Sequence, residues 1–425
     1  MATRLRDSLR HRRSGRLGAT SARYRSGVDF DAIVLGLGAM GSAAAYQLAK
    51  SGARVLGIDR HDPPHAFGSS HGDTRITRLA VGEGEEYVPL VRRSHELWRQ
   101  IEAETGRRLL EQSGGLIMGV EDGSRQHGER EFVRRTIDIA KRNAIPHETL
   151  TTDDIRSRYP QFNVADGTFG YFEPDAGYLL PEECVRAQHE LAKRHGAVLH
   201  ANERVLAWQS NGNSVTVTTG SAVYTAEKLV ICAGPWIREL LPEYRGLFSI
   251  HRQVLFWFGL ADENTYDEYR ALPIHLWIYG SGPDEMVYGF PAIDGPTGGV
   301  KVAGEQFVTV TDPESTRRTV DQNEIDRAYE QHVRRNFPGL ARHCVQATAC
   351  LYTVTPDFGF VIDRHPGHGN VVIASPCSGH GFKHSAAIGE VLAQLTIDGT
   401  TTIDIGPFSL DRLQGLRKAT VRRTG

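Results

Sequence analysis

The stretch SSHGDTRITR, residues 69–78, concentrates donors and cations: His71, Arg75 and Arg78 stand against Asp73 alone. Basic runs of this kind are ordinarily solvated surface. Arg75 and Arg78, three apart, would share one side of a helical turn, although Gly72 and Asp73 read equally as a loop or a helix start. Three later stretches carry comparable potential. In ATACLYTV, Cys350 reads either as a buried structural thiol or as a nucleophile that a nearby cation would favour as thiolate. In GGVKVAGEQF, Lys301 stands between Val300 and Val302; on an alternating strand it points either to solvent or inward, toward something that becomes negative. In SPCSGHGFKHSAAIGEVLAQL, glycines lead into a predicted helix from about His380 to Leu395. Lys383 falls in its first turn, where a cation opposes the helix dipole and so implies another job.

A nucleotide-binding element precedes all of these. FDAIVLGLGAMGSAAAYQLAKSGARVLGIDR carries Gly36, Gly38 and Gly41 in G-x-G-x-x-G form. Asp31–Leu35 and Arg54–Ile58 read as buried strands, and Ala39–Ser51 as the helix between them. Gly36 permits the tight turn, Gly38 lets backbone approach a pyrophosphate, and Gly41 lets helix and strand pack closely. The helix N-terminus faces the phosphates, and Asp59, roughly 20 residues on, is placed to accept from ribose hydroxyls. The uncharged run 32–49 approaches the length of a membrane span, but strand, turn and helix explain it better. The fingerprint by itself does not separate FAD from NAD. A later strand, Leu229–Cys232, ends at Ala233 and Gly234 and suits a second approach to a flavin cofactor, though Gly234 reads equally as a turn glycine. Val205, in the strand-rich run before it, is counted with the cofactor-binding positions.

The elements that must position these residues follow from pattern. Tyr87–Gly106, 127–143, 182–195 and Asn323–Asn336 read as helices; 248–310 reads as a sheet segment; further strands are expected near 345–354, 359–363 and 371–375. Charged residues make up 24% of the chain and net charge is −2, so no global field recruits nucleic acid or an anionic membrane. Five scattered cysteines without C-x-x-C favour a reducing compartment over a disulfide framework. The histidines of HELAKRH, 189–195, are six apart, which argues against a zinc helix. Residues 1–27 are rich in arginine, with Asp7 the lone acid, and read as a disordered basic extension.

The motifs HGDTRITRLAVGEGEEYVPL, YGFP, ACLYT and SGHGFKHS, in this order, resemble the monomeric sarcosine oxidase and N-methyltryptophan oxidase family, FAD-dependent amine oxidoreductases of the D-amino-acid-oxidase type. The resemblance spans about residues 30–415. It implies covalent FAD on Cys350; His71 and Arg75 along the flavin, with Ser69, Thr74, Gly379 and Gly381 also against the cofactor; Arg78 and Lys383 on the substrate carboxylate; Lys301 as the cation that activates O2; and Tyr288 and Tyr352 as cavity walls. Members oxidise secondary amino acids to an imine, which hydrolyses to aldehyde and amino acid, and reduce O2 to H2O2. Glu305 departs from the pattern, since many members carry histidine four residues after the active-site lysine; a carboxylate there either repels a second substrate carboxylate or pairs with a substrate amine, which puts sarcosine itself in question and leaves room for a bulkier N-substituted amino acid. His384 is a further candidate wall residue. The alternative is a dehydrogenase of the same fold that uses another acceptor.

The implied fold is a two-domain flavoprotein, α/β plus α+β: a Rossmann-like FAD-binding domain (28–108, 172–246, 351–425) and a mixed-sheet substrate domain (109–171, 247–350). A cytoplasmic monomer is expected, with a small secondary amino acid and O2 as its partners and no nucleic acid or membrane.

Overall fold

A computed structural model describes residues 27–120, 124–282 and 284–413, so the basic extension expected over 1–27 lies, but for Gly27, outside the described residues. Phe30–Leu35 (β1) and Val55–Ile58 (β2) flank the helix Ala39–Lys50 (α1). β1 pairs in parallel with β2 on one side and with strand Val223–Ile231 on the other, within an eight-stranded sheet. A parallel strand at the centre of such a sheet is buried on both faces, which is why β1 is apolar and buried without alternation from Ala32 to Leu35. Ala32 and Val34 pack on the helical side with Leu48, Leu90 and Leu392; Ile33 and Leu35 pack on the other side with Val217, Ile237 and Phe248.

A nine-stranded mixed sheet holds strands between Gly115 and Glu173 and between Ser249 and Val354. Its spine is Ser249–Leu260, paired antiparallel with Leu340–Val354 from Ser249↔Val354 to Leu260↔Leu340. That second strand runs without interruption through position 350, where the sequence reading placed a domain boundary. A small sheet joins Arg75–Thr77 (β3) to Gly177–Leu179 and Leu110–Glu111.

Several expected elements take different bounds. Arg75 and Arg78 do not share a helical turn: Arg75 begins β3, whose partner Leu179 fixes the extended backbone there. The helix expected over 127–143 starts at Phe132, because a hairpin of Arg125–Gln126 on Glu129–Arg130 occupies its first residues, with positive φ at His127 and Gly128. Asn323–Asn336 splits into Gln322–Ala328 and a π-turn, Tyr329–Val333. The last helix begins at Ser385, after a single 3-10 turn Phe382–His384, so Lys383 precedes the helix rather than sitting in its first turn. Helix Thr152–Arg158 escaped the periodicity reading because it is only two turns long, yet its Thr151–Asp154 capping box is visible in sequence. No helix among the described residues is long and apolar enough to cross a membrane.

Candidate active site

Two cavities meet between the eight-stranded and nine-stranded sheets. The larger, about 1320 Å³ with its open mouth, is lined by Gly36, Gly38, Asp59, Ser69, Arg75, Val205, Gly234, Tyr352, Gly379 and Gly381, among others. The smaller, about 550 Å³, is lined by Arg75, Arg78, Tyr288, Glu305, Tyr352, Gly379 and Lys383, together with Glu83, Gln126, His127 and His380. Arg75, Tyr352, Gly379 and Phe382 line both. Gly41, His71, Thr74, Lys301 and Cys350 line neither, and lie in the walls behind them. His384 also stays outside, buried against Tyr87 and Phe360.

The long cleft fits a dinucleotide. Gly36 holds φ +85° where β1 turns into α1, and a Cβ on Gly41 would lie 1.7 Å from the Gly36 carbonyl oxygen, so any side chain there would push the helix off the strand. Gly38 is the N-cap of α1 and brings no side chain over the helix end, leaving room for an anion. Ser70, not singled out in the sequence, accepts a hydrogen bond from the Ala39 amide at 3.1 Å. At the far end Asp59 accepts from the amides of Leu37 (2.7 Å) and His61 (2.9 Å). Burial opposes its ionisation, but His65 and these two amides hold its carboxyl below the usual range, so it remains an acceptor.

The stretch 69–78 is interior, not solvated surface. His71, Thr74, Thr77 and Arg78 are buried, and Gly72 and Asp73 donate their amides to Glu182, at 2.6 and 3.3 Å. Arg75 is held by the carbonyls of Thr74 (2.8 Å) and Ser69 (2.9 Å), and the Ser69 hydroxyl donates to the Leu351 carbonyl. His71 Nε2 has no protein partner; burial, then Arg75 and Lys301, bring its pKa down to about 3, so the ring is neutral at physiological pH.

Lys301 points inward. All four residues of its strand, Val300–Ala303, are buried, because the strand is internal to the sheet and covered on both faces. Its Nζ donates to Gly72 O (2.5 Å), Thr74 O (2.9 Å) and Thr74 Oγ1 (3.1 Å) and lies over the Phe290 ring. Burial and the nearby Arg75 push its pKa well down from the ordinary lysine value. Cys350 is 1% exposed; burial pushes its thiol up, while Arg75 and Lys301 pull the other way. A Cβ on Gly72 would stand 3.6 Å from Arg75 Nη1 and 3.9 Å from Lys301 Nζ, which places both cations at one point of the backbone.

In the smaller cavity Arg78 donates to Glu83 at 2.7 Å and to the Ala80 carbonyl, with both charged side chains no more than 5% exposed. Glu83 also meets His127 Nδ1 at 3.1 Å, and His127 Nε2 meets Glu305 at 3.0 Å. Burial opposes charge on His127, but Glu305 and Glu83 together raise its pKa to about 9, so an imidazolium sits between two carboxylates. Glu83 is held well below the ordinary carboxylate range, since Arg78, then His380 and His127, outweigh burial. Lys383 donates to the His380 carbonyl at 2.6 Å, and burial lowers it to about 7. Sequence reading does not single out Glu83, Gln126 and His127: the acid lies in a Gly-rich turn, His127 falls at the start of the helix expected over 127–143, and Gln126 lies just before it. Glu83 five residues after Arg78 was the available signal.

A family model described as FAD dependent oxidoreductase matches residues 31–395. Monomeric sarcosine oxidase of Streptomyces avermitilis is 41% identical over 385 residues, covering 90% of this chain and 98% of the relative. N-methyl-L-tryptophan oxidase of Yersinia pestis is 36% identical over 394 residues, covering 91% and 100%. In fold, NikD, an unusual amino acid oxidase of nikkomycin biosynthesis, superposes with TM-score 0.78 at 24% identity, covering 89% of this chain and 97% of its own. L-proline dehydrogenase from P. horikoshii superposes with TM-score 0.74 at 21% identity, covering 90% and 97%.

Proposed function

The chain belongs to the FAD-dependent oxidoreductase family, and on that premise we propose that it is an oxidase of secondary amino acids that cleaves the C–N bond oxidatively and releases H2O2. The observation that carries this is the junction of the two cavities at Arg75, Tyr352 and Gly379: a dinucleotide-sized cleft opens onto a small chamber with cations for a carboxylate. FAD, when bound, supplies the two-electron acceptor and hands those electrons to O2. Arg78 and Lys383 hold the substrate carboxylate, while Tyr288 and Tyr352 wall the chamber and orient the amine. The imine left on the substrate hydrolyses in water to an aldehyde and an amino acid.

Lys301 and Arg75 supply the positive potential that stabilises charge developing as O2 is reduced. Cys350 is the attachment point for the cofactor; Arg75 and Lys301 pull its thiol toward thiolate against the larger upward push of burial. His71, Thr74 and Ser69 shape the loop that carries Arg75. The two discontinuous units outlined from sequence divide cofactor binding from substrate binding. A monomer fits relatives named as monomeric, and five unpaired cysteines fit a cytoplasmic location. Loss of Lys301 would favour the same-fold dehydrogenase reading; its presence favours the oxidase.

The test is peroxide release under air from purified holoenzyme with sarcosine, N-methyltryptophan, pipecolate, proline and sugar-derived amino acids. Peroxide with any of them supports the oxidase; cofactor bleaching without air and no peroxide with air would assign a dehydrogenase.

A further inference from the structure

Resting on the oxidase reading and deepening it, we infer that Glu305 selects secondary amino acids whose nitrogen substituent ends in a neutral hydroxyl. The Glu305 side chain is 6% exposed and lines the smaller cavity. Its Oε2 accepts from Gln126 Nε2 at 2.5 Å and lies 3.0 Å from His127 Nε2. Its Oε1 accepts from the Tyr352 hydroxyl at 3.2 Å. A carboxylate oxygen has about two lone-pair sites, so Oε2 is filled and Oε1 retains one. Oε1 also stands 3.3 Å from where a Cβ of Gly379 would be, and Gly379 lines both cavities. The remaining acceptor site therefore lies at the junction, where the nitrogen substituent of a bound substrate would be.

Three partners fix this carboxylate, one on Oε1 and two on Oε2. Gln126 and His127 come from the hairpin Arg125–Arg130, and Tyr352 from strand Leu340–Val354; Gln126 and His127 are positioning residues. The charges decide which donor suits it. Arg78 is paired with Glu83, and His127 with both Glu83 and Glu305. Lys383 and Arg78 are taken by the substrate carboxylate, but Arg75 is held by carbonyls, so its positive potential remains in the chamber. An ammonium on the substituent would meet that potential, and a second carboxylate would meet Glu305. An alkyl group would cover Oε1 and leave it short of a partner in a cavity the substrate has dried, which a site built for a hydrogen bond penalises. A hydroxyl satisfies it without added charge.

The experiment is anaerobic stopped-flow spectroscopy of holoenzyme with N-methylglycine, N-ethylglycine, N-(2-hydroxyethyl)glycine, N-(2-aminoethyl)glycine and iminodiacetate. It yields for each compound an apparent Kd and the rate of cofactor bleaching. The hydroxyethyl compound should bind at least about tenfold more tightly than the ethyl compound, the scale of one hydrogen bond to a charged acceptor. The aminoethyl compound and iminodiacetate should fall below it. In Glu305→Gln the hydroxyethyl-to-ethyl ratio should shrink several-fold. Equal affinity for ethyl and hydroxyethyl compounds in the wild type, or preference for a charged substituent, overturns the inference whether or not the variant folds. An affinity ratio as expected, with no bleaching by any compound, would instead overturn the oxidase reading and leave the role of Glu305 standing.

Discussion

Replacing His127 by glutamine tests whether the imidazolium between Glu83 and Glu305 holds the substrate chamber together. In the folded protein His127 titrates at about 9, against about 6.5 for an unperturbed imidazole. That difference of roughly 2.5 units, at about 1.4 kcal/mol per unit, corresponds to about 3 kcal/mol of stability at neutral pH and below. Because the folded value is raised, this contribution is fully present below about 6.5 and is lost as pH climbs through about 9. The wild-type profile alone does not isolate it. Lys383 is lowered to about 7 from 10.5, so protonation of the unfolded chain costs stability that returns between those values, with opposite sign. The difference between wild type and His127→Gln removes Lys383 and leaves His127. Urea unfolding followed by tryptophan fluorescence, at pH 6.5, 8 and 9.5, measures that difference at matched slopes. We expect the wild type to exceed His127→Gln by about 3 kcal/mol more at pH 6.5 than well above pH 9, with roughly half of the change already lost by pH 8 and nearly all of it by pH 9.5. A constant gap across this range would refute a charged His127 bridging two carboxylates.

Lys301→Met should slow reoxidation by O2 far more than anaerobic reduction by substrate, read as the two half-reactions in stopped flow; equal slowing would remove its role with O2. Wild-type protein precipitated with acid should keep its yellow cofactor in the pellet, whereas Cys350→Ala should release it to the supernatant; release from both would dismiss the covalent link. Gly41→Ala puts a Cβ 1.7 Å from the Gly36 carbonyl oxygen, so α1 must move, and FAD content after purification should fall to a small fraction; full occupancy would mean the turn is looser than described.

Local sequence was enough for the nucleotide element. β1, α1 and β2 lie within one continuous stretch, and strand, glycine turn, helix and terminal acid are fixed by neighbours a few residues apart. Arg75, Arg78, Lys301, Glu305, Cys350 and Lys383 were legible as residue types, and a resemblance to known motifs suggested what each would do. Their arrangement was not legible, because it depends on contacts between residues hundreds of positions apart. Whether Lys301 faces solvent or Thr74 is decided by which strands flank Val300–Ala303 in the nine-stranded sheet. Whether Arg75 and Arg78 form a helical turn is decided by β3 pairing with Gly177–Leu179. The chain from Arg78 through Glu83 and His127 to Glu305 joins three separate segments through buried hydrogen bonds, and no periodicity records such a pairing. Spacing determined the dinucleotide element, and the resemblance of motifs implied the chemistry; only tertiary packing decided which charges face each other and how many are left for a substrate, because burial gives a charge its partner and its pKa at the same time.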